Sequence, residues 1–76
     1  MSEADKMFEE LGYEKIIENN IEILYKKERR LWDKEISFDL VEKHMRAEMS
    51  VGYSEPITMQ ELQAINKKCE ELGWNG

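Results

Sequence analysis

The closing segment, residues 56–74, contains a complete set of local signals for one helix. Thr58 followed by Glu61 is a capping box, in which each side chain accepts a hydrogen bond from the other residue's backbone N–H. Gly73 predicts a left-handed stop, and Trp74 can fold back on the last turn. The apolar residues between these signals fall at helical spacing: Leu62, Ile65, Cys69 and Leu72. We therefore predict a helix that begins after Thr58 and buries this stripe.

A second helix is predicted at the start of the chain, from about residue 3 to residue 11. Ser2 is a suitable N-cap, and Gly12 provides a left-handed stop. The apolar residues at helical spacing predict one buried face: Ala4, Met7, Phe8 and Leu11.

Between the two helices the apolar period changes from helical to two, which is typical of strands with one buried face. The side chains predicted on that face are Ile21, Ile23, Tyr25, Trp32, Ile36, Phe38, Leu40, Met45, Ala47, Met49 and Val51. A first strand from Tyr13 to Glu18 alternates more weakly. Asn19 and residues 39–43 predict turns, and Gly52 to Pro56 predicts the end of the sheet.

These elements predict a single α+β domain over residues 1–76. Short connections favour an antiparallel meander of three or four strands, since sequential strands usually pair. Each helix has one apolar stripe and the sheet has one apolar face, so both helices should pack on that face in two layers. The wet face is expected to hold cross-strand ion pairs among Glu22, Lys26, Glu35, Asp39, Arg46 and Glu48.

The composition restricts the setting of the protein. Charged residues make up 37% of the chain, and the formal net charge is −6. No apolar run is long enough to cross a bilayer, and the acidic start of the chain lacks the pattern of a signal peptide. The chain has one cysteine, which fits a reducing compartment. We expect a cytoplasmic protein that does not associate with membranes.

The sequence offers no constellation for catalysis, a metal or a cofactor. His44, the only histidine, falls on the polar side of its strand and is interpreted as a solvated residue. Cys69 falls in the stripe of the closing helix and is interpreted as a packing residue. Adjacent carboxylates such as Glu70 and Glu71 diverge around a helix and cannot share a substrate bond. We therefore predict that the protein is not an enzyme.

A mildly basic segment in the middle of the chain is the candidate binding site. Its members, with one further arginine, are Lys26, Lys27, Arg29, Arg30, Lys34 and Arg46. Tyr25 and Trp32 lie beside them, and aromatic rings with basic side chains can stack nucleic-acid bases. The overall negative charge disfavours binding to a phosphate backbone. A hairpin with solvating charges is thus the first interpretation, and a binding edge is the second.

The two ends of the chain carry a family resemblance. Residues 5–15 (DKMFEELGYEK) and 57–74 (ITMQELQAINKKCEELGW) resemble segments of short proteins encoded by phages and prophages of Gram-positive bacteria. The shared segments are packing motifs, so the resemblance implies no catalytic residue. It does imply a genomic setting in which small acidic proteins bind and inhibit host enzymes, defence complexes or nucleic-acid-binding proteins.

The expected function is therefore a non-enzymatic phage or prophage accessory protein that acts by protein–protein interaction. Its partner would be a host or phage protein, and the outcome would be inhibition or modulation of that partner. The alternative is a small nucleic-acid-binding accessory protein that uses the Lys26–Lys34 hairpin. A third interpretation is a homo-oligomer in which an exposed sheet edge pairs with a second copy.

Overall fold

A computed structural model of the chain describes residues 2–30, 32–49 and 56–74. The described elements, in chain order, are α1 (Glu3–Glu10), β1 (Glu14–Glu18), β2 (Glu22–Glu28), β3 (Asp33–Asp39), β4 (His44–Met49) and α2 (Met59–Glu71). The four strands form one antiparallel sheet in the order β1-β2-β3-β4. The predicted α+β meander between two helices is confirmed. The sheet end predicted at Gly52 and the strand position of Val51 lie outside the described residues.

The ends of both helices follow the local signals. Ser2 accepts a hydrogen bond from the N–H of Asp5 at 3.0 Å, and Gly12 ends α1 with a φ of +94°. Thr58 and Glu61 form the full capping box at the start of α2. Gly73 has a φ of +77° and carries the chain away from the end of that helix. The predicted caps and stops are confirmed.

Aromatic rings from α1 and the sheet form the centre of the core. Phe8 is 0% exposed and stacks on Tyr25 of β2, with ring centroids 4.1 Å apart. Phe38 of β3 meets both of these rings edge-on, and Trp74 packs against Phe38. The other buried apolar side chains are Ala4, Tyr13, Ile23, Ile36, Ala64 and Ile65. Since these come from both helices and from one side of the sheet, both helices pack on the same face.

The buried face of α2 is turned relative to the predicted stripe. Three members of that stripe are buried or partly buried: Ile65, Cys69 and Leu72. Leu62 is 41% exposed, so the prediction that it is buried is wrong. Glu61 and Lys68 are instead 2% and 5% exposed. The helix buries these charged side chains because both find partners of opposite charge elsewhere in the fold.

Two turns at one end of the sheet are closed by polar side chains. Asn19 Oδ1 accepts the N–H groups of Ile21 and Glu22, each at 2.8 Å. Asp39 Oδ1 accepts two N–H groups of the β3–β4 turn, at 2.9 and 3.0 Å. Both turns are confirmed, but Ile21 belongs to the first turn and is 63% exposed. The prediction that Ile21 lies on the buried face is therefore wrong.

Candidate functional site

The basic side chains predicted as a binding site do not share one surface. Lys34 is 1% exposed, and its Nζ donates to Glu61 Oε1 at 2.8 Å and to the carbonyl oxygen of Pro56 at 3.2 Å. Lys27 lies with its Nζ 4.9 Å from the ring centroid of Tyr13 and 4.0 Å from Glu61 Oε2. The prediction that Lys34 is one of the solvating charges of a hairpin is wrong, because its side chain lies on the inner side of β3.

The remaining basic side chains of that set are spread over the surface. Arg29 and Arg30 lie in the connection between β2 and β3, and both are exposed. The Arg29 guanidinium lies 5.5 Å from the ring centroid of Trp32, a cation–π contact. Lys26 and Arg46 lie on the outer face of the sheet, the face opposite the helices. The set therefore divides between the interior, the β2–β3 connection and the outer face.

Glu61 is the centre of one buried charge network. Its carboxylate accepts hydrogen bonds from Lys34 Nζ, from the Tyr13 hydroxyl and from the backbone N–H of Thr58. Burial would raise the pKa of Glu61, but these three hydrogen bonds outweigh it and lower the pKa to about 2. The carboxylate is thus a capping group for α2 and, at the same time, the anchor between α2 and β3.

Asp5 is the centre of a second charge network. Its carboxylate accepts a hydrogen bond from the Tyr25 hydroxyl and one from Lys15 Nζ at 2.7 Å, and Lys68 Nζ lies 3.4 Å away. Burial would raise the pKa of Asp5, but its donors and the nearby ammonium groups hold it well below its usual range. Burial, followed by the contact with Asp5, raises the pKa of Tyr25 well above its usual range. These contacts connect both helices to β1 and β2.

The two networks predict that stability falls in acid. Asp5 and Glu61 have lower pKa values in the folded protein than in the unfolded chain, so acid protonates the unfolded chain first and favours unfolding. For Glu61 the loss should extend from a pH near its ordinary pKa of 4.5 down to about 2. Urea unfolding at a series of pH values between about 7 and 3 measures this loss of stability. A midpoint that stays constant over this range would contradict the prediction, and Glu61→Gln should show a shallower dependence.

A depression of about 390 Å³ lies between α1 and β1. Its lining residues are Asp5, Glu9, Tyr13, Glu14, Lys15 and Tyr25. Four of these residues belong to the two charge networks, so a ligand there would have to compete with existing hydrogen bonds and ion pairs: Asp5, Tyr13, Lys15 and Tyr25. No buried side-chain polar atom of the described residues is without a hydrogen-bond partner. These residues are therefore best explained as structural.

The outer face of the sheet is rich in carboxylates. The strand register places three pairs of acids directly opposite each other: Glu22 with Asp39, Glu28 with Asp33, and Glu35 with Glu48. Like charges in this arrangement destabilise a sheet. The expected cross-strand ion pairs are thus mostly absent among the described residues. Ion pairs on this face include Lys26 with Asp33, at 3.6 Å, and Arg46 with Glu48 on the same strand, at 3.2 Å.

Three of these carboxylates surround a small depression of about 110 Å³ on the outer face. Asp33 and Glu35 come from β3, and Glu48 and Met49 come from β4. The carboxylates can accept hydrogen bonds from a lysine or an arginine. Sequence spacing did not indicate this group, because the alignment of β3 with β4 brings it together.

His44 and Cys69 show no shared chemistry. His44 is exposed on β4, as predicted, whereas Cys69 lies on α2 and is half-buried. Burial raises the pKa of the Cys69 thiol, which disfavours the reactive thiolate. Within residues 2–30, 32–49 and 56–74, no group of three or more histidine, cysteine, aspartate or glutamate side chains is arranged to hold a metal ion.

Comparisons of the chain with protein-family models, with curated proteins and with solved structures gave no match. None of the helices in the described part of the chain has the length and apolar character needed to cross a membrane.

Proposed function

We propose that the protein is a non-enzymatic accessory protein of phage or prophage origin that binds a basic surface of a host protein and inhibits or modulates it in the bacterial cytoplasm. The observation that carries this proposal is the outer face of the sheet, with its three directly opposed pairs of acids. The resemblance of the two chain ends to phage and prophage proteins supports the setting.

The energetics of the outer face favour a cationic partner. Directly opposed acids destabilise an isolated sheet, and here Lys26 and Arg46 compensate only part of the negative charge. Positive charges placed between them would convert this repulsion into attraction. The net charge of −6 would also accelerate encounter with a basic surface at low ionic strength. Beside the outer-face depression, Asp33 pairs with Lys26 and Glu48 pairs with Arg46, so a lysine or arginine of the partner would bind next to Glu35.

The nucleic-acid alternative has less support. Lys34 and Lys27 direct their ammonium groups toward Glu61 instead of solvent, and the carboxylates of the outer face repel phosphates. The remaining candidates are Arg29 and Arg30, with Trp32 as a stacking ring. A salt titration with single- and double-stranded oligonucleotides distinguishes the two functions. Binding at low salt that is lost on substitution of both arginines would favour the alternative.

The proposed function predicts that removal of carboxylates from the outer face raises or preserves stability but weakens binding to the partner. The variant E22Q/E28Q/E35Q removes one carboxylate from each opposed pair. Its free energy of unfolding should equal or exceed that of the wild type, because repulsion is relieved. Its affinity for the partner should fall by roughly tenfold or more, because the complementary charges are lost. Affinity capture from host lysate, followed by calorimetric titration of the captured protein, measures this difference.

A matched control is E9Q/E10Q/E70Q, which removes the same number of charges from the helices. It should capture the same partner as the wild type. The proposal fails if repeated captures return no specific partner. It fails equally if both variants bind the partner as the wild type does.

A further inference from the structure

β4 forms one edge of the sheet and has a regular backbone. Among the described residues it pairs only with β3, in an uninterrupted register from Asp39 opposite His44 to Lys34 opposite Met49. The other edge, β1, has a register shift between Lys15 and Ile17. Such a bulge twists an edge and discourages pairing with a further strand. β4 is therefore the edge that is better suited to accept a new strand.

The inner side of β4 is incompletely covered. Ala47 lies opposite Ile36, which is 0% exposed, yet Ala47 itself is exposed. Met45 and Met49, on the same side of the strand, are only half-buried. The apolar inner row thus continues beyond the area that α1 and α2 cover. A strand added to this edge would extend that row.

The charges on the outer side of β4 indicate which chain supplies the added strand. Arg46 and Glu48 are two positions apart on the same face, and they are 72% and 57% exposed. In an antiparallel pair of two β4 strands centred on Ala47, Arg46 lies opposite Glu48 of the second copy, and Glu48 opposite its Arg46. On the inner side, Met45 lies opposite Met49. We propose that two copies of this chain associate through β4 in this register.

The neighbouring registers do not have this complementarity. A shift of the centre to Arg46 places the two arginines opposite each other, and a shift to Glu48 places the two glutamates opposite each other. Like charges directly opposite are destabilising, so the sequence of β4 selects the register centred on Ala47. The resulting dimer has a two-fold axis perpendicular to the sheet. Dimers with two-fold symmetry are the commonest homo-oligomers.

The dimer would join the two four-stranded sheets into one, with both helix layers on the same side. It would also place the two acid-rich outer faces side by side on the other side. This association does not depend on the proposed host partner, since it uses the edge of the sheet and can be measured with the purified chain.

The test exchanges the charges at positions 46 and 48 and measures the strength of the dimer by sedimentation equilibrium. R46E alone and E48R alone should each weaken the dimer by roughly tenfold or more, because each places like charges opposite each other at both contacts. The double variant R46E/E48R should dimerise as the wild type does. An equimolar mixture of the two single variants should form a heterodimer, because the two strands then carry opposite charges at every contact.

Both positions are exposed, so we expect each variant to fold, and circular dichroism checks this. E70R, on the solvent side of α2, is the control and should keep the dimer. A monomeric mass for the wild type at millimolar concentration would overturn the proposal. Single variants that dimerise normally, or a mixture that forms no heterodimer, would overturn it as well.

Discussion

Substitution of Lys34 by methionine is expected to lower the free energy of unfolding by about 3 kcal/mol. The ion pair of Lys34 with Glu61 is almost completely buried, with the two side chains 1% and 2% exposed. Loss of the ammonium group leaves the Glu61 carboxylate in the interior with only part of its charge compensation, and this costs more than the pair itself contributes. Urea unfolding measures the loss.

A double-mutant cycle separates this effect from the loss of packing. In K34M/E61Q the uncompensated charge is gone, so the loss should be smaller than the sum of the two single losses. Lys26→Met is the matched control, because Lys26 is partly exposed and lies 3.6 Å from a partly exposed carboxylate. It should lower stability by less than about 1 kcal/mol. Equal losses of stability at Lys34 and Lys26 would show that burial of the Lys34–Glu61 pair does not increase the cost of breaking it.

Phe8→Ala should lower the free energy of unfolding by about 4 kcal/mol. Phe8 is 0% exposed, stacks on Tyr25 and meets Tyr13 and Phe38 edge-on, so its removal leaves a cavity at the centre of the aromatic core. A chain of 76 residues is expected to have a total stability of roughly 4–11 kcal/mol. The variant should therefore lose a large share of its stability, and thermal or urea unfolding measures it.

Two comparisons keep this prediction specific. Phe8→Leu retains most of the apolar volume and should cost clearly less than Phe8→Ala. Met59→Ala removes an apolar side chain that is 66% exposed, so it should change stability little. If Phe8→Ala and Met59→Ala had similar effects, the aromatic cluster would not be the centre of the core.

The helix boundaries could be predicted because capping is local. The Thr58–Glu61 box and the glycine stops at Gly12 and Gly73 involve residues only a few positions apart. The strand pattern was informative for a similar reason, since alternate side chains point to opposite faces of a sheet. That pattern correctly placed Ile36 and Phe38 inside.

The same pattern also contained the signal for Lys34 that was missed. Lys34 shares its side of β3 with Ile36 and Phe38, and its buried position follows from this parity. An unpaired lysine is costly to bury, so residue type alone favours a surface position for Lys34. What makes burial favourable is Glu61, a partner 27 residues away in the sequence.

The sequence by itself determined the order of the elements, the caps of the helices and most of the inner face of the sheet. Only the tertiary structure decided which charges are buried, how α2 is rotated, and which acids oppose each other on the outer face. Glu61 meets Tyr13 across 48 residues, and the opposed acids depend on strand register. A buried charge is stable only beside its partner, and local spacing carries no information about a partner that the fold brings from a distant part of the chain.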